Sequence, residues 1–466
     1  MSYDSAVANL YALGHELART PSHKFDLAHM RVLLAALGHP ERRFPSVLIA
    51  GTNGKGSTAA TLASILLAAG YRTALYTSPH LVRINERIRI DDEQIADQEF
   101  AALHERIEQV ASRLVSAGEL PWHPSFFEML TAIAFTHFAQ AKVQIAVLEV
   151  GMGGRLDATN VVEPLLSVIT DIALDHQKIL GNTIAEIAAE KAGIIHPGGL
   201  VITLPQHPAA NDVIGNVVLE RGARAINAAR YVPPVSPAAE PQPASYPLDV
   251  MGEEILIQSP LTGRHQYRNL ALAIAAAVEL NAIDVGPAPE TTHVGAAALG
   301  CAGEPSSPVS FHISPAAIAT GIRRTCWPGR FQIVPAHDAW PEVVLDVAHN
   351  PAGAWALRSA LSQRYGERPL TFVFGAMRDK AIAEIAQILF PLAEHVIATR
   401  ADNPRSATPQ EISEAAAPTG ADVLCAASVP HALSQARALA GTRGLVVVTG
   451  SIYIVGEAMR ELGIRA

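Results

Sequence analysis

Cysteine is scarce: Cys301, Cys326 and Cys425 are the only three in 466 residues, odd in number, widely spread and without a CxxC spacing. A disulfide framework and a cysteine-bound zinc site are excluded as organising features, and a reducing compartment is the natural setting. Charge is sparse too, 35 Lys+Arg and 44 Asp+Glu making 17% of the chain against 49% hydrophobic, so bulk disorder is excluded and sizeable cores can form. Long apolar runs are missing: the longest, Leu270 to Val278, is far short of the roughly 18 residues a membrane span needs. The N-terminus carries Asp4 and Glu16 and no basic leader. A cytoplasmic protein with no membrane partner is expected. A net charge of -9 argues against a surface that grips nucleic acid, while leaving room for local basic clefts.

What is present is enough material for two or three domains, at about 150 residues each. Short β-branched runs alternate with Ala/Leu-rich stretches of helical period, the signature of strand–helix units around a mainly parallel sheet. Strands are expected at 46–50, 72–76, 144–150, 165–170 and 200–203, with a helix at 57–69. A second α/β unit restarts the pattern with strands at 331–334, 343–347, 370–374, 395–399 and 445–449 and a helix at 352–363. Between them, Val232 to Pro247 holds six prolines in 16 residues, and Gly286 to Val309 is rich in Ala, Gly, Pro and Ser. Both read as loops or linkers. A boundary shortly before Trp327 divides the chain into residues 1–322 and 323–466.

Gly51-Thr52-Asn53-Gly54-Lys55-Gly56-Ser57 follows the first strand and opens the first helix of that pattern. The backbone N–H groups of such a turn, with the helix N-terminus, converge on phosphate oxygens, and Lys55 adds a point charge for the outer phosphates. The strict GxxxxGK[ST] spacing is not met, because position 49 is Ile and Gly56 separates Lys55 from Ser57. The loop announces a nucleotide without naming a reaction. Glu149 ends the apolar run 144–150, where doubly wound sheets place ligands, and its hard oxygen suits Mg2+ on ATP phosphates. A surface carboxylate is the blander alternative.

GTNGKGS resembles the phosphate loop of the Mur ligase superfamily, and the form with Gly-Ser after the lysine is similar to that of folylpolyglutamate synthases. Further segments agree in order: YTSPHLVRINERIRI (76–90), EVGMGGRLDATN (149–160), LDHQKILG (174–181), EKAGI (190–194), PGRFQ (328–332) and DVAHNP (346–351). The resemblance runs from about Leu27 to Gly456. It implies an α/β chain with an N-terminal phosphate-loop ATPase domain that binds ATP and pterin, and a smaller C-terminal Rossmann-like domain that ligates glutamate.

The resemblance also implies roles. Thr52, Asn53, Gly54, Lys55, Gly56 and Ser57 would hold ATP, with Asn269 at the adenine and Arg330 and Asp346 reaching it from the second domain; His349 stands nearby. Ser78, Glu149 and His176 would hold two Mg2+ ions. Lys191 would be carbamylated, which requires a neutral amine and hence a depressed pKa. Lys55, Lys191 and His176 are the catalytic candidates. Ser125, Phe126, Phe127, Glu128, Leu156, Asp157 and Ala158 match segments that hold the pterin ring, Ser125 departing from the family's Thr. Each also has a plain structural reading: a solvated lysine at 191, a structural histidine at 176, a helix N-cap at Asn269, core packing for Phe126 and Phe127.

The expected activity is ATP-dependent addition of L-glutamate to dihydropteroate and/or reduced folates through an acyl phosphate. The partners are small molecules: ATP, L-glutamate and dihydropteroate or folate, with no nucleic acid, and the assembly is a monomer. Two alternatives stand beside it, a Mur-type ligase of peptidoglycan precursors and a phosphate-loop NTPase switch. YTSPHLVRINERIRI and EVGMGGRLDATN argue against the first.

Overall fold

The computed structural model describes residues 1–14, 27–234, 244–285, 309–337, 340–366 and 368–465; most of the two low-complexity stretches, and Cys301, lie outside the described residues. The larger sheet has eight strands: β1 (Ser46–Ala50), β2 (Thr73–Tyr76), β3 (Ile88–Ile90), β4 (Glu93–Gln94), β5 (Ile145–Glu149), β6 (Leu166–Ile169), β7 (Leu200–Thr203) and β8 (Arg224–Asn227), in the order β4-β3-β2-β5-β1-β6-β7-β8. All pairings are parallel except those of β3 with β2 and β4.

Strand β1 explains why such runs read as unbroken apolar stretches. Leu48 and Ala50 join a core with helices 3–12, 27–36, 97–116 and 126–140, whereas Val47 and Ile49 face helices 55–68, 264–280 and 315–324. A strand covered on both faces has no polar side to show. A hairpin, β9 (Ala244–Val250) and β10 (Glu253–Ser259), packs on the second of these cores. It corrects the expectation that the proline-rich stretch stays irregular up to Pro247, which pairs with Leu256; a two-stranded ribbon has open edges that tolerate proline.

A short ladder, β11 (Asp284–Val285) with β12 (Val309–Ser310), precedes the smaller sheet. That sheet contains β13 (Gln332–Val334), β14 (Glu342–Leu345), β15 (Leu370–Phe374), β16 (His395–Ala398), β17 (Val423–Cys425) and β18 (Leu445–Thr449), ordered β13-β14-β18-β15-β16-β17 with only β13 antiparallel. It too has a core on each face. The chain is thus α/β with two main sheets. In the larger, β1 lies between β5 and β6, so the chain crosses to opposite sides of its first strand, and the crevice at those carboxyl ends is where open α/β sheets bind ligands. Among the described residues no helix is long and apolar enough to cross a membrane.

Candidate active site

The crevice opens into one cavity of about 1010 Å3, walled from the first sheet by segments after β1, β2, β5 and β6, and from the second by segments after β14, β15 and β18. Every residue singled out from the sequence lines it: the loop 52–57, Ser78, 125–128, Glu149, 156–158, His176, Lys191, Asn269, Arg330 and Asp346.

The phosphate loop leaves β1 and enters the helix Lys55–Ala68 through Gly54, whose φ of 91° is the left-handed conformation that favours glycine. A Cβ there would stand 2.1 Å from Asn269 Oδ1. Asn269 lies in the second turn of the helix Arg264–Leu280, which Gly263 caps. The N-cap alternative is therefore corrected: the helix starts five residues before Asn269, and its first turn is polar because it faces the cavity. Asn269 Nδ2 donates to Gln266 Oε1 at 2.8 Å. The Thr52 and Asn53 amides are already donated to the Asp171 carbonyl, at 2.9 and 3.1 Å. The amides of Lys55, Gly56 and Ser57, in the first turn, are those without an intrahelical acceptor. Lys55 Nζ folds over the loop and donates to the Thr52 carbonyl at 3.3 Å.

Glu149 is 4% exposed at the end of β5, so the surface reading fails. Burial raises its pKa, opposed by the Lys55, Arg330 and Arg87 cations and by the Ser78 amide, which donates to Oε2 at 3.2 Å. Arg330 is half-buried, and Asp346 is held in place by the Phe331 and Ala348 amides at 2.8 and 2.9 Å. Lys191 is 4% exposed and not solvated. Its amine donates to the Gly51 carbonyl at 2.8 Å, and burial, with repulsion from Lys55, lowers its pKa to about 7. His176 is lowered to about 4, first by burial and then by Lys380, His349 and Lys55 against the pull of Asp175. Its imidazole is neutral at physiological pH.

On the wall expected to hold the pterin, Phe126 is buried, and Phe127 packs so closely on the loop after β5 that a Cβ on Gly151 would lie 2.5 Å from its Cζ. Both reach the cavity wall, so core packing and lining coincide. The two acids there are engaged within the protein. Glu128 Oε2 accepts from the Ser125 amide and hydroxyl at 2.8 and 2.7 Å, forming a capping box, while Oε1 faces His29 Nδ1 at 3.0 Å. Asp157 accepts from the Met152 amide and from the Thr159 amide and hydroxyl.

Sequence reasoning placed His349 near the site but missed the polar cluster between the two sheets to which it belongs. Asp175 receives Lys380 Nζ at 2.5 Å, Asn350 Nδ2 at 3.3 Å and His349 Nε2 at 3.4 Å, all from beyond residue 340. Burial opposes its ionisation, but the His349 hydrogen bond, the two imidazoles and Lys380 hold its carboxyl well below the usual range. Asn350 also donates to Asn53 Oδ1 at 3.0 Å. Asp175 and Asn350 lie inside matched segments, but nothing in the sequence around Lys380 marked it.

Two family profiles match the chain: "Mur ligase middle domain" over residues 49–277 and "Mur ligase, glutamate ligase domain" over 329–452. The Bacillus subtilis dihydrofolate synthase/folylpolyglutamate synthase is 34% identical over 444 residues, 94% of this chain and 95% of its own length. The chain belongs to the folylpolyglutamate synthase family. It is an ATP-dependent carbon–nitrogen ligase. Mycobacterium tuberculosis folylpolyglutamate synthase, solved with ADP and AMPPCP, superposes with a TM-score of 0.79 at 31% identity over 99% of both chains. Escherichia coli FolC in complex with DHPP and ADP gives 0.78 at 29% identity, covering 99% of this chain and 98% of that one. These relatives do not favour the peptidoglycan and switch alternatives.

Proposed function

We propose that this cavity joins L-glutamate to the carboxylate of dihydropteroate or a reduced folate at the expense of ATP. The observation that carries the reading is the continuity of one cavity from the phosphate loop to the aromatic wall at Phe126 and Phe127, with Arg330 and Asp346 entering from the second sheet. A pterin carboxylate oxygen attacks the γ-phosphorus and ADP departs, leaving an acyl phosphate. The glutamate amine then attacks the acyl carbon, the C–O bond to phosphate breaks, and the amine loses a proton as the amide forms. Little covalent chemistry is asked of the protein, whose contribution is positioning and charge neutralisation.

In this reading Lys55 and Arg330 face the phosphates from opposite walls, Asn269 meets the adenine, and Asp346 the ribose or a phosphate-bound cation. No three His, Cys, Asp or Glu side chains cluster as a metal cage among the described residues, so a cation would share its ligands with phosphate. The donors suit that: Glu149 supplies a buried hard oxygen, Ser78 a hydroxyl, and His176 a neutral imidazole for a second ion. Bound Mg2+ would neutralise phosphate charge. Lys191, with its pKa near 7, can add CO2 to the neutral amine, releasing a proton and becoming a carbamate anion beside the phosphate loop. Ser125, Leu156 and Ala158 complete the pterin wall with Phe126, Phe127, Glu128 and Asp157.

Residues 1–322 would bind ATP and pterin and residues 323–466 would serve the glutamate step, a division the two profile matches support. A monomer is what the family resemblance implies, and the free thiols of Cys326 and Cys425 fit a cytosolic setting. Hydroxylamine trapping tests the chemistry. Pterin- and ATP-dependent hydroxamate is the expected product, and ATP turnover indifferent to pterin and glutamate would defeat the proposal. Phosphate release with dihydropteroate against tetrahydrofolate, each with glutamate, separates the two activities.

A further inference from the structure

The phosphate loop does not hold its own shape. The two amides that would close its first turn, Thr52 and Asn53, are donated to the carbonyl of Asp171, and Asn53 and Asp171 form an isolated antiparallel bridge. The Thr52 hydroxyl donates to the Ala173 carbonyl and accepts from the Ala173 amide, both at 3.1 Å. Segment 171–173, just after β6, is thus a template on which the loop is laid. What fixes the template is a side chain from another element.

Arg268 Nε lies 3.0 and 2.9 Å from the two carboxylate oxygens of Asp171, and its terminal nitrogen 2.5 Å from Oδ1; that nitrogen also donates to the Pro205 carbonyl at 2.9 Å. The guanidinium therefore grips Asp171 as a fork and ties it to the segment after β7. Arg268 precedes Asn269, whose Oδ1 occupies the space beside Gly54. One helical turn presses the phosphate loop at two points, directly through Asn269 and indirectly through Arg268 and Asp171.

We propose that Arg268 is a positioning residue for ATP: by fixing the Asp171 peptide it orients the loop whose later amides and Lys55 meet the phosphates. An exposed ion pair alone contributes little, and the two side chains are 31% and 35% exposed. The consequence here is geometric, because donors displaced by a fraction of an ångström lose phosphate hydrogen bonds. The inference rests on the reading of Gly51–Ser57 as the phosphate site.

The test is a double-mutant cycle on AMPPCP affinity, by calorimetry, and on the KM values, using Arg268→Gln, Asp171→Asn and both together. Each single change is expected to weaken AMPPCP and raise the KM for ATP about tenfold, the loss of roughly one charge-assisted hydrogen bond. The KM for the pterin substrate should stay unchanged, and the double variant should be no worse than either single one. Arg268→Lys keeps the charge without the fork and should fall between parent and Arg268→Gln. Additive losses would overturn the proposal by assigning Arg268 a direct nucleotide contact, and so would losses shared equally by all substrates or an unchanged affinity in Arg268→Gln and Arg268→Lys. A parent protein that binds no AMPPCP would instead defeat the underlying reading of the loop.

Discussion

Lys191 shows how much one side chain depends on where its helix puts it. Its amine is enclosed against the Gly51 carbonyl and beside a second cation, so the charged form is disfavoured and the pKa falls from the ordinary 10.5 to about 7. The folded value lies below the unfolded one, so the unfolded chain holds the extra proton between about pH 7 and 10.5. Stability from this site rises with pH across that window, and the penalty is complete below about 7. Lys191→Met, similar in length but unable to charge, should melt no lower than the parent at pH 6 by calorimetry while losing ligation. If the neutral amine or its carbamate is required, kcat should fall about tenfold per pH unit below pH 7. His176, lowered to about 4, adds no limb there, so a flat profile from pH 5.5 to 8 would contradict the role given to Lys191. A mass increment at Lys191 in bicarbonate is the direct measurement.

Between elements, Gly151, after β5, packs closely against Phe127, in the first turn of the helix Phe126–Gln140, on the wall proposed for the pterin. Interiors are close-packed, so a methyl group at 2.5 Å from Cζ must move the ring. Gly151→Ala should raise the KM for the pterin substrate about tenfold and leave that for ATP near the parent value, as initial rates would show; equal effects on both would mean the ring does not line the pterin subsite. Legibility differed between elements for a physical reason. Strands β7, β15 and β18 were readable to the residue because their sequences are short, largely β-branched and apolar runs, wholly buried in β15 and β18 and buried at the centre of β7. Strand β8 carries Arg224 and Asn227 on an exposed edge, and the first turn of the helix Arg264–Leu280 is polar because it faces a cavity, so neither shows the pattern that marks burial. The phosphate loop and Glu149 could be read because strand, turn, lysine and helix are contiguous. Arg268 with Asp171 and Lys380 with Asp175 could not, since each pair is assembled only by folding.

For the molecule as a whole, one polar contact between the two sheets is that of Asp175 with Lys380, His349 and Asn350, beside the apolar packing of Leu81 and Val82 on the second unit's core. The Asp175 and Lys380 side chains are each 8% exposed, and removing one partner of a buried pair leaves a charge whose burial costs about 3–5 kcal/mol. A rigid core would have to bear that cost. Two units that part at a cleft can escape it, because opening returns the orphaned carboxylate to water. The expected response of Lys380→Met is therefore a shift toward a more open arrangement rather than global unfolding, with a larger radius of gyration by small-angle scattering in the presence of AMPPCP. Asp175→Asn weakens the same contact from the other side and should shift scattering in the same direction. Both should lower kcat more than tenfold, since Arg330 and Asp346 then stand away from the phosphate loop. Unchanged scattering in both variants, with only the KM for glutamate raised by Lys380→Met, would mean that the ammonium serves a substrate carboxylate and that the two sheets are held together by other contacts.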